Sequence, residues 1–176
     1  WVGAAVIIHQ RFSASGFWSS ARRHGASEVN LLLGAINMLL AQTPREDDPD
    51  NPVRLVLANV TEPIYREFTR RFDVDIVSTW ALAEGPLGTM TAPGHGYRAG
   101  EIGWPMGQDN EVRVVDDKDQ VVADGEIGEL VQRNRAMMLG YYRNEEETAR
   151  VLQGGWVHSG DLGYRDAQGL FYFVGR

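Results

Sequence analysis

Arg54-Leu55-Val56-Leu57-Ala58-Asn59-Val60-Thr61-Glu62-Pro63 passes from a short apolar run through a polar turn into a helix start. Pro63 suits the first helical turn, where its missing N–H costs nothing. Ile64, Phe68 and Phe72 then recur at four-residue spacing, which stacks them on one buried helical face. Asp75–Thr79, with the β-branched Ile76, Val77 and Thr79, follows as a further strand. Strand, helix and strand in so short a span imply two parallel strands joined by a crossover helix. The segment therefore points to an α/β fold with a mostly parallel sheet.

The same rhythm extends toward the N-terminus. Ala4–Ile8 is a continuous apolar run and is expected as a buried strand. Ser13 can cap a helix that carries Phe17, Trp18 and Ala21 and stops at Gly25. Val29–Leu33 is expected as a strand, and Gly34–Gln42 as a helix with Ile36, Leu39 and Leu40 on one side. Thr43–Pro52 is polar and rich in Pro and Asp, hence a surface loop, and Arg54–Ala58 is the third strand of the series. The expectation is a mostly parallel sheet with flanking helices over residues 1–95.

Beyond Gly94 the texture changes. Glycines become dense, and the short runs Glu111–Val115, Val121–Ala123 and Ile127–Gln132 read as antiparallel β structure. One helix interrupts them, with Asn144 as its cap, Glu147 at the capping-box position, Ala149, Val151 and Leu152 as its apolar side, and Gly154 as its stop. A hairpin from Leu162–Arg165 to Leu170–Val174 turns across Asp166-Ala167-Gln168-Gly169. Residues 96–176 are thus expected to form a small antiparallel, β-barrel-like subdomain.

Composition excludes several classes. The 176 residues contain 43% apolar and 23% charged side chains, those of a globular protein with a real core. A net charge of −7 argues against a nucleic-acid or anionic-membrane partner. The absence of cysteine removes disulfides, thiolate zinc sites and a Cys nucleophile. Four scattered histidines form no metal-ligand spacing. No apolar run approaches a membrane span, so a cytoplasmic location is expected. The chain opens on Trp1 rather than Met, directly before the first apolar run, as though taken from something longer.

Three places carry chemistry. Ligands of open α/β sheets collect at the C-terminal ends of parallel strands. One such exit is Ala58-Asn59-Val60-Thr61, and a second is Ser78-Thr79-Trp80-Ala81-Leu82-Ala83-Glu84-Gly85. In the second, an aromatic ring able to stack on a base precedes a carboxylate able to hold Mg²⁺ against phosphates. Taken alone, Trp80 reads better as a core residue and Glu84 as a solvated loop acid. The third place is Gly155-Trp156-Val157-His158-Ser159-Gly160-Asp161-Leu162-Gly163-Tyr164, closed by Gly175-Arg176. There a carboxylate and a guanidinium can face one ligand, although Gly-Asp in a hairpin is also ordinary turn chemistry. His158, beside Trp156, reads as a brace for its loop and not as a base, and Met137-Met138 as packing.

The order of these motifs is more specific than any one of them. The aromatic-x-x-x-Glu exit is followed by Gly100-Glu101-Ile102-Gly103, Gly125-Glu126-Ile127-Gly128-Glu129-Leu130, Gly140-Tyr141-Tyr142-Arg143-Asn144, the Asp161 run and Gly175-Arg176. This series, spanning essentially the whole chain, resembles the adenylate-forming (AMP-binding) superfamily and its acyl-CoA synthetases. Leu32–Gln42, Arg54–Ala58 and Phe72–Trp80 look most similar to the carnitine/crotonobetaine-CoA ligase group.

The resemblance implies a fragment of a synthetase N-terminal domain from an acid–thiol ligase. A carboxylic acid and Mg·ATP would give an acyl-adenylate, and coenzyme A would then displace AMP. It assigns Trp80 to adenine stacking, Asn59, Val60 and Thr61 to the adenine-edge loop, and Ala81 and Ala83 to the strand-exit loop. Glu84 would ligate Mg²⁺ as the catalytic carboxylate, Asp161 would grip the ribose hydroxyls, and Arg176 would reach ribose or phosphate. The acid is expected to be carnitine/crotonobetaine-like or a fatty acid, which would place the enzyme in fatty acid metabolism. A carrier-protein-loading adenylation domain is the neighbouring alternative.

The sequence also departs from the family pattern. Ala81 stands for the usual Gly and Ala83 for the usual Thr, and Asn59-Val60-Thr61 replaces a Gly-Gly-Ala loop. Losing a hydroxyl beside a charged partner costs about 1.5–3 kcal/mol. These departures support a second reading, a non-catalytic AMP- or acyl-adenylate-binding relative. No Ser/Thr/Gly-rich phosphate loop ending in Lys is found, and Arg176 falls where the resemblance places the hinge to a C-terminal domain. The 176 residues alone are therefore expected to be inactive.

Overall fold

The computed structural model describes residues 3–176, so Trp1 and Val2, the expected lead-in to the first strand, lie outside the described residues. Two compact units emerge: residues 3–77 with Pro93–Tyr97, and Ser78–Ala92 with Arg98–Arg176. The chain leaves the first unit after Val77 and returns to it for Pro93–Tyr97.

In the first unit, β1 (Glu28–Asn30), β2 (Leu55–Leu57) and β3 (Asp75–Val77) make a three-stranded parallel sheet in that order. Helices α1 (Ala14–His24), α2 (Leu33–Leu40) and α3 (Glu62–Phe72) connect and cover it. The Ser13 side chain accepts from the Gly16 N–H to cap α1, and Gly25 ends it in the left-handed conformation. Phe68 and Phe72 of α3 are fully buried, and Trp18 stacks on Phe72 at 4.5 Å. Burial of each such ring contributes roughly 1.5–3 kcal/mol. Ile36, Leu39 and Val56 complete the core.

Three expectations change here. Ala4–Ile8 is not a buried strand: Val6 is 80% and Ile8 87% exposed, and the segment is held through His9 Nε2 and Ser20 Oγ at 2.9 Å. An apolar run forms a strand only beside a free edge, and among the described residues none pairs with it. Val29–Leu33 is cut short at Asn30, because Leu31 turns into the core and Leu33 already begins α2. Asp75–Thr79 is two strands and not one. At Ser78 the chain leaves the parallel sheet, and Thr91 fixes the break by accepting from the Ser78 N–H through Oγ1 and donating its own N–H to the Ser78 carbonyl.

The second unit is an antiparallel sheet. Its main path runs β4 (Thr79–Ala81), β5 (Leu87–Met90), β6 (Glu101–Pro105), β11 (Phe171–Gly175), β10 (Trp156–Arg165), β8 (Gly128–Arg133) and β7 (Glu111–Val115). The short β9 (Leu152–Gln153) pairs with β10, after helix α4 (Glu145–Val151). Trp80 from one edge strand and Val112 and Val114 from the other share one core with Ile102, Leu130 and Phe171. The sheet therefore curls, but its edges do not pair and it is not a closed barrel. Val121–Ala123 shrinks to one bridge, Val121 to Val115, because Asp116 draws the chain into a turn by accepting from the Lys118 and Gln120 N–H groups. Among the described residues, no helix is long and apolar enough to cross a membrane.

The glycine motifs are close approaches of backbone. A Cβ on Gly103 (φ +91°) would lie 1.9 Å from the Met90 carbonyl carbon, and one on Gly128 would lie 2.3 Å from the Val115 oxygen. No side chain fits at either position.

Candidate active site

The site is organised by an irregularity in β10. His158 pairs with Val131 and Leu162 with Glu129, so Ser159, Gly160 and Asp161 stand opposite Leu130 alone. Such a bulge turns a side chain out of its regular alternation. The bulge is fastened at each residue. Ser159 Oγ donates to the Leu130 carbonyl at 2.6 Å and accepts from the Asp161 N–H at 2.9 Å. The Gly160 N–H donates to Glu129 Oε1 at 2.7 Å, and Glu129 Oε2 lies 2.9 Å from His158 Nδ1. His158 is thus a brace, as its place beside Trp156 suggested.

Asp161 is held between two donors. Trp80 Nε1 donates to Asp161 Oδ2 at 2.9 Å, and Arg176 Nε lies 3.6 Å from Asp161 Oδ1. The side chain of Asp161 is 11% exposed and that of Arg176 76%. Arg176 reaches this point because Gly175 pairs with Leu162, one residue past Asp161, and its Nη2 also donates to the Ser159 carbonyl at 3.3 Å. A nearly buried carboxylate beside an open guanidinium suits a ligand that offers hydroxyl hydrogens to one and oxygens to the other.

Trp80 itself is only 6% exposed. On the hairpin, Trp80 pairs with Thr89 and Ala81 with Leu87, which leaves Gly88 unpaired beneath the ring. A Cβ there would lie 2.5 Å from Trp80 Cε3. Ala81, the last residue of β4, and Ala83, in the turn that follows, are both exposed.

Glu84 belongs to the same turn, and its position is fixed from several directions. Its carbonyl accepts the Met138 N–H at 2.8 Å, and Oε1 accepts the Tyr141 hydroxyl at 2.5 Å. That hydrogen bond, with desolvation second, raises the Tyr141 phenol above its ordinary pKa. On the far side of the turn, the fully buried Gln132 donates to the Pro86 carbonyl and to Asn110 Oδ1, and Asn110 donates to the Leu87 and Gly88 carbonyls. Among the described residues no group of three or more acidic or His side chains is arranged around a metal ion. The donor set instead fits Mg²⁺ bound by one carboxylate and the phosphates of a nucleotide, since Tyr141 engages only Oε1.

Asn59, Val60 and Thr61 lie in the first unit, between β2 and α3. Val60 packs on the core, Asn59 and Thr61 are exposed, and Thr61 occupies the α3 cap position without a side-chain bond. The structure thus joins Trp80, Asp161 and Arg176 directly and sets Glu84 on the hairpin of Trp80. Sequence reading passed over Tyr141, Glu129, Asn110 and Gln132 as site residues. Tyr141 and Glu129 stood in the ordered motifs, whereas nothing local marks Asn110 or Gln132.

Comparison with known proteins bears on the family and the fold. The profile described as AMP-binding enzyme matches residues 1–142. The chain belongs to the AMP-binding enzyme family. Crotonobetaine/carnitine–CoA ligase of Salmonella arizonae is 32% identical over 99% of the chain, and sulfoacetate–CoA ligase of Cupriavidus necator is 34% identical over 99%. The chain spans 35% of the length of each. Among solved structures, o-succinylbenzoate coenzyme A synthetase of Bacillus subtilis with ATP and magnesium ion superposes with a TM-score of 0.82 at 26% identity, over 96% of this chain and 35% of that one. AMP-binding enzymes thus account for the fold and for the order of motifs.

Proposed function

We propose that this chain is part of an AMP-forming acid–CoA ligase, which converts a carboxylic acid and Mg·ATP to an acyl-adenylate and passes the acyl group to coenzyme A. The observation that carries the reading is the Asp161 carboxylate, fixed on a bulge between Trp80 and Arg176. Asp161 binds the ribose hydroxyls, and Arg176 adds donors for ribose or phosphate oxygens. Trp80 borders the adenine, and Asn59, Val60 and Thr61 supply its edge loop. Glu84 binds Mg²⁺, with Ala81 at the end of β4 and Ala83 in the turn beside it. The magnesium ion supplies charge neutralisation for the phosphates when bound. Every one of these residues orients or neutralises, and none attacks; such positioning accounts for much of the rate in transfers of this kind.

The acid is assigned to the carnitine/crotonobetaine-like class, with fatty acids second. Relatives of nearly equal identity act on crotonobetaine or carnitine and on sulfoacetate, so family likeness alone does not choose. The 176 residues by themselves are inactive, and the complete protein works in the cytoplasm.

The test is direct. The complete protein is incubated with Mg·ATP, coenzyme A and a panel of carnitine-like, short, medium and long-chain acids, and AMP and thioester are read by mass spectrometry. Thioester from one acid class supports the ligase and names its substrate. Adenylate without thioester, discharged onto a carrier protein, would mark a carrier-loading adenylation domain. AMP binding without turnover of any acid would favour a non-catalytic nucleotide-binding relative, for which the hydroxyl-free Ala81 and Ala83 at the strand exit are the supporting observation. Pyrophosphate released by the 176 residues alone would overturn the claim of inactivity.

A further inference from the structure

We infer that Trp80 is a positioning residue for Asp161: besides bordering the adenine with its ring, it orients the carboxylate through its indole N–H. The inference rests on the nucleotide-binding reading above and assigns Trp80 a second task within it. Three observations carry it. The bond from Trp80 Nε1 to Asp161 Oδ2, at 2.9 Å, joins residues 81 positions apart and is buried. Trp80 is 6% exposed, with Gly88 pressed against its six-membered ring, and it packs in one core with Ile102, Leu130 and Phe171. The ring is therefore held in place by its packing, and the direction of its N–H is fixed with it.

The third observation is the contrast between the two oxygens of Asp161. Oδ2 takes a rigid, buried donor, whereas Oδ1 faces the exposed Arg176 at 3.6 Å. An indole N–H has one donor direction and no acceptor, so it fixes the rotation of the carboxylate that it binds. With Oδ2 pinned, Oδ1 is presented to the ligand with Arg176. A Phe or Tyr ring at this position has no donor at the indole nitrogen's place. The choice of Trp is then a choice for the N–H.

The test compares AMP with 2′,3′-dideoxy-AMP, which lacks the ribose hydroxyls, by calorimetric titration of the complete protein. The variants are Trp80→Phe, Asp161→Asn and their combination. Trp80→Phe keeps an aromatic over Gly88 and deletes the donor. The wild type should favour AMP, and Trp80→Phe should erode that preference about tenfold, equivalent to about 1.4 kcal/mol at 25 °C. In the Asp161→Asn background, adding Trp80→Phe should change AMP affinity less than twofold, because the partner charge is already gone. Equal weakening of both nucleotides by Trp80→Phe would mean stacking and would overturn the inference, as would unchanged binding of both. If the wild type binds neither nucleotide, the nucleotide reading itself falls, a result separate from either pattern in the variants. Should Trp80→Phe fail to fold, Asp161→Ala, which removes the acceptor altogether, carries the test through the indole N–H resonance of Trp80, which should lose protection from hydrogen exchange. Unchanged protection would refute the bond.

Discussion

Replacing Ser159 by Ala should unfasten the bulge that carries Asp161. The hydroxyl makes two bonds, donating to the Leu130 carbonyl at 2.6 Å and accepting from the Asp161 N–H at 2.9 Å. Ser159 is buried, so the substitution leaves two backbone groups unpaired out of solvent. Each orphaned group costs about 1–3 kcal/mol, which puts the total at about 2–6 kcal/mol. For a chain of this size that corresponds to a fall in Tm of about 4–24 °C. Scanning calorimetry measures it, with Ser159→Thr as the control that keeps the hydroxyl and should remain within about 2 °C of the parent. AMP affinity should fall along with stability, because the same N–H orients Asp161. A Ser159→Ala protein that melts within about 2 °C of wild type would refute the reasoning.

Other expectations follow from equally specific contacts. Arg71 and Asp48, both nearly buried, pair at 2.7 Å, and Arg71 also donates to the Leu40 and Thr43 carbonyls. Arg71→Ala strands the Asp48 charge and should cost about 3–5 kcal/mol in urea unfolding, and a loss under about 1 kcal/mol would count against the pair. Gly103→Ala drives a Cβ into the Met90 backbone at a left-handed position and should destabilise by about 3 kcal/mol or more; a soluble variant with an unchanged urea midpoint would contradict it. Burial first, then Tyr172 and Asp166, raise the Tyr164 phenol above its ordinary value. Folding thus favours its neutral form, and this stability is present below about pH 10 and lost as pH rises through the raised value. Melting curves from pH 8 to 11.5 should show the decline, and Tyr164→Phe should lessen it.

Local signals in the sequence were read well where local physics decides. Ser13 and Gly25 bound α1, Asn144 caps α4, and Ile64, Phe68 and Phe72 mark the inner face of α3, because caps and helical spacing act within a few residues. Strand status was read less well, since it depends on a neighbour that may lie far along the chain. Ala4–Ile8 has the right composition and no partner, whereas the β3–β4 break is set by Thr91, thirteen residues beyond Ser78. The polar loop at Thr43–Pro52 also conceals the buried Asp48, whose partner Arg71 sits on α3. At the site, the motifs named Asp161 and Arg176, and the structure puts them together. What no motif conveyed is the bond between Trp80 and Asp161, because pairing across 81 residues leaves no trace in local spacing.

The break at Ser78 also bears on the order in which the protein can fold as it is made. Pro93–Tyr97 belong to the first unit, where the Gly94 N–H bonds to Asp75 and Tyr97 rests on Tyr65 with ring centroids 5.4 Å apart. That unit is therefore not complete when Val77 leaves the ribosome. Its last pieces arrive only after the β4–β5 hairpin has been synthesised, so the hairpin bearing Trp80 and Glu84 is made before the first unit is complete. A gene cut at residue 77 would separate α3 and β3 from contacts they need, whereas one cut after Tyr97 would keep them.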